Sequence, residues 1–158
     1  MWTMMLSLCL IMPAKLYTNK TQKQNICKYE NIIKKEATAN HIDPALLASL
    51  IYVESGFYPH VVSRAKACGL TQVIPKYTGG PETSRVKYTC KQLKDPKTSI
   101  KVGAKVLRYM IVNYANGNFE KGLCYYNAGN ICLRKKGYYK RSFYVKKVME
   151  TYNFIVNR

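Results

Sequence analysis

The chain is poor in negative charge. Of its 158 residues, 8 are Asp or Glu against 26 Lys or Arg, a formal net charge of +18. Each carboxylate is therefore conspicuous, and the surface as a whole favours anionic polymers or an acidic envelope. Histidine is scarce, with His41 and His60 alone, and the cysteines form no Cys-x-x-Cys pair. Neither a metal site nor a cofactor is expected from such a set. No base-reading or phosphate-cradling motif accompanies the scattered lysines, so specific nucleic-acid binding is not expected either. No apolar run reaches the roughly 18 residues that span a bilayer. Strand-like alternation, internal repeats and low-complexity tracts are also missing.

What remains is enough apolar sequence for one compact domain with its own core. Residues 1–14 read as an export signal or an apolar N-terminal segment: Trp2 to Met12 is mostly apolar and Pro13, Ala14 and Lys15 follow. Residues 15–158 would form the domain. Six cysteines in so small a chain fit an oxidising compartment. If Cys9 leaves with a signal, five remain, and at least one is free or pairs between molecules. Cys68–Cys90 and Cys124–Cys132 are the favoured loop staples, leaving Cys27 open.

Helical spacing dominates the pattern. Ile26, Tyr29, Ile33 and Ala37 place a helix over residues 22–37. Asp43 as N-cap with Pro44 behind it starts a second helix, which Gly56 ends. Residues 59–96 are punctuated by Pro75, Gly79, Gly80 and Pro81, and predict loops with one short helix near Leu70 to Ile74. Further helices are expected over 96–113, with a buried stripe from Ile100 to Tyr114, over 119–127, and over 141–156. The expected architecture is mainly α: a single domain of about six helices with a loop-rich segment, able to hold a short β element, beside a cleft.

Glu54 is the leading catalytic candidate. It lies among apolar neighbours at the end of the second helix. Desolvation there favours the protonated carboxyl, and the negative end of the helix dipole acts in the same direction. A carboxyl that keeps its proton near neutrality is what a general acid requires. A carboxyl that simply terminates a helix is the competing reading.

Three blocks give Glu54 company: Glu54-Ser55-Gly56-Phe57, Gly69-Leu70-Thr71-Gln72, and Tyr125-Tyr126-Asn127-Ala128-Gly129. In this order and spacing the chain resembles the soluble, goose-lysozyme-like lytic transglycosylases over about residues 27–155. The stretches Asp95-Pro96 to Leu107 and Tyr144 to Val148 are similar to that family's connecting helix and closing motif. Thr71 departs from the methionine usual there, and Asn130 from a frequent proline. The resemblance implies a lysozyme-like fold and a peptidoglycan glycan strand as substrate. It implies that Glu54 acts as acid and then base at the MurNAc-β-1,4-GlcNAc bond, giving 1,6-anhydro-MurNAc ends without water. Ser55, Gln72, Tyr126, Asn127 and Tyr144 would bind substrate or orient the acid.

A hydrolytic muramidase and a non-catalytic glycan-binding module are the alternatives. Hydrolysis normally calls for a second carboxylate. Glu82 is the nearest acidic residue after Gln72, and its Gly-Gly-Pro-Glu setting reads as a solvated loop. The resemblance places the protein in the periplasm or cell envelope. Its contexts would be secretion, conjugation, pilus assembly or phage entry.

Overall fold

The structure is a computed structural model that describes residues 7–11 and 18–157. Its α-helices are α1 (Leu8–Ile11), α2 (Lys20–Ala39), α3 (Pro44–Ser55), α4 (Cys90–Leu93), α5 (Pro96–Asn113), α6 (Phe119–Ala128), α7 (Asn130–Arg134), α8 (Tyr138–Arg141) and α9 (Phe143–Val156). No helix among the described residues is long and apolar enough to cross a membrane.

The architecture is built around α3. Residues 45–51 are buried without exception. A helix apolar all round belongs in the middle of a fold. It packs against α2 on one side and α9 on the other. Asp43 caps it, accepting from Ala45 N at 2.8 Å, and Tyr152 of α9 donates to the second oxygen of the same carboxylate at 2.9 Å. The main core gathers Ile26, Ile33, Leu46, Leu50, Ile100, Leu107, Leu123, Val148 and Ile155. A smaller cluster of Cys68, Val73, Leu93, Val102 and Val106 sits under the loop region.

The helix expected near Leu70 to Ile74 does not form. Gly69 takes φ +80° and Gln72 φ +50°, so the chain reverses tightly there. Cys68 makes antiparallel bridges with Val62 and Val73, which supplies the short β element. Helical turns appear instead where proline fixes the first position, at Pro75–Tyr77 and Pro81–Thr83, and at α4 behind the Thr89–Gln92 capping box. The helix expected from residue 141 is split: Ser142 caps α9, and α8 precedes it separately. Tyr114 falls outside the buried stripe of α5, being 46% exposed.

The favoured staples Cys68–Cys90 and Cys124–Cys132 are both present. Cys27 pairs with Cys9. Residues 1–6 and 12–14 of the apolar N-terminal segment lie outside the described residues. Within α1, Leu8 is buried in the core. The Glu30 carboxylate accepts from Ser7 Oγ, Leu8 N and Cys9 N at 2.7, 3.0 and 3.2 Å, which satisfies donors at the start of that turn.

Candidate active site

Glu54 occupies the last turn of α3, which ends at Gly56 in the left-handed conformation (φ 59°, ψ 27°). Phe57, with φ +66°, then turns into the core and is fully buried. Asn25 of α2 donates to its carbonyl at 3.1 Å. The helix end that carries the acid is thus clamped from both sides of the chain.

The Glu54 side chain is largely desolvated, and burial pushes its pKa up to about 7. Tyr144, the second residue of α9, donates its hydroxyl to Glu54 Oε1 at 2.6 Å, which pulls the value back down. Burial keeps the Tyr144 and Tyr126 phenols protonated far above their usual range, and the neighbouring Glu54 charge adds to the effect. Both phenols therefore remain donors, Tyr144 to the Glu54 carboxyl and Tyr126 to the loop backbone beside it. Glu54 is poised between acid and base near neutrality, where it can give a proton and take one back.

The loop that faces α3 is held by side chains of the motif residues themselves. Ser55 Oγ donates to Leu70 O at 2.8 Å, tying the acid's helix to the turn. Tyr126 Oη donates to Thr71 O at 2.7 Å. Gln72 turns its amide nitrogen inward, donating to Gly69 O at 2.9 Å and Val61 O at 3.1 Å. Its NH2 group braces the turn, which leaves its carbonyl oxygen as the group free of these bonds. Asn127 is exposed in the last turn of α6. The structure therefore gathers Glu54, Ser55, Gln72, Tyr126 and Tyr144 around one turn, and Asn127 sits on the same helix as Tyr126.

The residues beneath that turn carried no signal as site residues. Thr71 is completely buried; its hydroxyl donates to Ser99 O at 2.8 Å and its N–H donates to Ser99 Oγ at 3.2 Å. Its side chain rests on Gly103, where an added Cβ would lie 2.4 Å from it. A compact residue at position 71 and a glycine at 103 thus fit one another. In the sequence Gly103 belongs to the buried stripe and to the stretch resembling the connecting helix, neither of which pairs it with Thr71. Ser99 has no distinctive sequence context.

Glu82 lies in the turn Pro81–Thr83, half-buried. The upward push on Glu54 comes from burial, with no carboxylate contributing among the described residues. A concavity of about 600 Å³ lies along the loop region, lined among others by Val62, Lys66, Ile74, Lys76 and Tyr77. It holds none of the candidate residues and no carboxyl. No grouping of metal-binding side chains occurs among the described residues.

Replacing Tyr144 by Phe removes a donor to the charged form of Glu54. Its pKa should then rise further, and the basic limb of the pH–activity profile, where the acid loses its proton, should move to higher pH. Activity at the optimum should fall roughly ten- to a hundredfold, the worth of a hydrogen bond to a charged group. A profile measured across pH 5 to 9 (about two units either side of neutrality) checks this; an unmoved basic limb would remove Tyr144 from the role.

The family model described as "Transglycosylase SLT domain" matches residues 31–149. Among solved structures, this chain is similar to the lytic transglycosylase Slt from Pseudomonas aeruginosa, determined as an inactive mutant. Identity is 22% and the TM-score 0.66, over 87% of this chain and 27% of that one. It is also similar to the 70 kDa soluble lytic transglycosylase SLT70 from Escherichia coli. There identity is 23% and the TM-score 0.69, over 80% of this chain and 24% of that one. The chain thus spans about a quarter of the length of these two proteins, and the likeness extends to the lysozyme-like fold.

Proposed function

The chain belongs to the Transglycosylase SLT domain family, and on that premise we propose that it is a peptidoglycan lytic transglycosylase whose acid and base are one residue, Glu54. The observation that carries the reading is the Glu54 carboxyl itself, desolvated to a pKa of about 7 and joined to a phenol rather than to a second carboxylate.

Protonated Glu54 gives its proton to the oxygen bridging MurNAc and GlcNAc. The C1–O bond breaks, the GlcNAc departs with its hydroxyl restored, and positive charge develops at C1 of MurNAc. The substrate's own N-acetyl oxygen is positioned to stabilise that centre. Glu54, now an anion, removes the proton of the C6 hydroxyl, and O6 closes on C1 to give a 1,6-anhydro end. The carboxyl finishes protonated and no water is consumed. Tyr144 steadies the anionic intermediate state of Glu54. Tyr126, Ser55 and Gln72 hold the turn against which the sugar lies, and exposed Asn127 and the carbonyl oxygen of Gln72 are free to contact it.

Hydrolysis is the second reading, and Glu82, the one acidic residue between Gln72 and Asp95, is its candidate base. It sits in the Pro81–Thr83 turn and is not among the groups that act on the Glu54 carboxyl. Mass spectrometry of digested peptidoglycan separates the two: anhydro ends are one water lighter than reducing ends. Anhydro muropeptides are expected. Reducing ends in their place would convert the assignment to a muramidase, and binding without cleavage would convert it to a glycan-binding module.

The expected setting is the periplasm or cell envelope, where three disulfides can persist. A small enzyme of this kind suits local wall opening during secretion, conjugation, pilus assembly or phage entry.

A further inference from the structure

Between Glu120 and Glu150 the sequence contains no acidic residue. Within that stretch the run from α7 to the start of α9 combines two features. Arg134, Lys135, Lys136, Lys140 and Arg141 are all exposed, and none has an ion-pair partner among the described residues. Interleaved with them are three large apolar side chains that also face solvent: Ile131 at 47%, Leu133 at 56% and Phe143 at 80% exposure. The three elements are neighbours, since α7 touches α8 and α8 touches α9. The disulfide Cys124–Cys132 fastens α7 to α6, and Cys132 packs on the core. One residue either way along the short helix, Ile131 and Leu133 flank that inward-facing position. They lie about 100° to either side of it on the helix, and both remain exposed.

Single exposed apolar residues are ordinary on protein surfaces. Three of them within thirteen residues, set among five cations, with Glu120 and Glu150 near Lys140 as the carboxylates at the margin, call for a partner that is negatively charged and apolar in layers. We propose that the surface of α7, α8 and the first turn of α9 docks on an anionic lipid bilayer. The cations meet the headgroups, and Ile131, Leu133 and Phe143 enter the boundary with the acyl chains. A purely polyanionic partner such as nucleic acid or polyphosphate satisfies the charges and leaves the apolar side chains in water. Because Tyr144 follows Phe143 directly, docking would bring the Glu54 site to the membrane surface. The inference stands on the surface alone and does not depend on the reaction assigned to Glu54.

The test is co-sedimentation of the intact protein with vesicles of mixed phosphatidylglycerol and phosphatidylcholine. Phosphatidylcholine alone and polyphosphate serve as separate arms. The wild type should partition onto the anionic vesicles and, in high salt, retain part of that binding, because the apolar component is not screened. The triple variant Ile131→Ser, Leu133→Ser, Phe143→Ser should lose at least about tenfold in vesicle partition while binding polyphosphate unchanged. Lys135→Glu with Lys136→Glu and Lys140→Glu should weaken both. All these positions are exposed, so melting temperatures should match the wild type; the single Phe143→Ser change gives the same direction with less perturbation. Equal vesicle binding by the wild type and the triple apolar variant would overturn the proposal, leaving a charge-only surface. So would failure of the wild type to bind anionic vesicles, or a loss confined to polyphosphate.

Discussion

Glu54→Gln should abolish glycan cleavage, lowering turnover by at least about a thousandfold, because both proton transfers of the proposed reaction pass through this carboxyl. The same change should make the protein more stable at alkaline pH. The folded-state pKa of Glu54 is about 7, against 4.5 for an ordinary glutamate. Below 4.5 the carboxyl is protonated in folded and unfolded chains alike, and no penalty exists. As pH rises from 4.5 towards 7 the folded chain retains a proton that the unfolded chain has released, so stability falls through this window. Above 7 the loss levels off at roughly 3 kcal/mol. The amide cannot ionise and escapes that loss. Denaturant titrations at pH 4 and pH 8 (about half a unit below and one unit above the window) should show the variant's advantage at the higher pH alone. Residual cleavage near the wild-type rate would move the acid to another residue. A stability gain equal at both pH values would mean that the buried charge is not its source.

Gly69→Ala should be the most damaging small substitution in the loop. At φ +80° the backbone strains any residue with a Cβ, costing about 1–2 kcal/mol. The added carbon would also stand 1.8 Å from the carbonyl oxygen of Leu93, a backbone atom that no rotamer change can move away. With overpacking included, the expected loss is roughly 3–5 kcal/mol. The damage should reach the reaction, because Ser55, Thr71, Tyr126 and Gln72 all hold this same turn. Gly117→Ala is the control. It shares a positive φ of +82° but meets nothing within 4 Å, so it should cost only the strain of about 1–2 kcal/mol and leave cleavage intact. Equal destabilisation by the two would show that the contact with Leu93 carries no weight.

Local signals were legible in the sequence where one residue type has one physical use. Asp43 with Pro44 marked the start of α3, and Gly56 its end, because caps depend on chemistry within a single turn. The raised pKa of Glu54 followed from apolar neighbours on the same helix. Recognition of the three motif blocks supplied Gln72 and Tyr126. The bond from Tyr144 to Glu54 is different in kind: its partners are 90 residues apart, and no periodicity within either helix points to the other. Gln72 shows the same limit. Its positive φ and inward amide come from Gly69 and Val61, and the pattern read there as a helical turn was mistaken. The pairing of Cys9 with Cys27 was equally out of reach, since it depends on where α1 settles against α2.

The Glu54–Tyr144 contact also sets an order of events. Synthesis, or threading through an export pore with the N-terminus leading, delivers the acid ninety residues before the phenol that steadies it. Until α9 seats beside α3, the carboxyl lacks its donor and the central helix lacks one of its walls. On the proposed reading, a chain with this topology completes its Glu54–Tyr144 pair only as α9 docks against α3, late in its synthesis, and cleavage would gain its full rate only then.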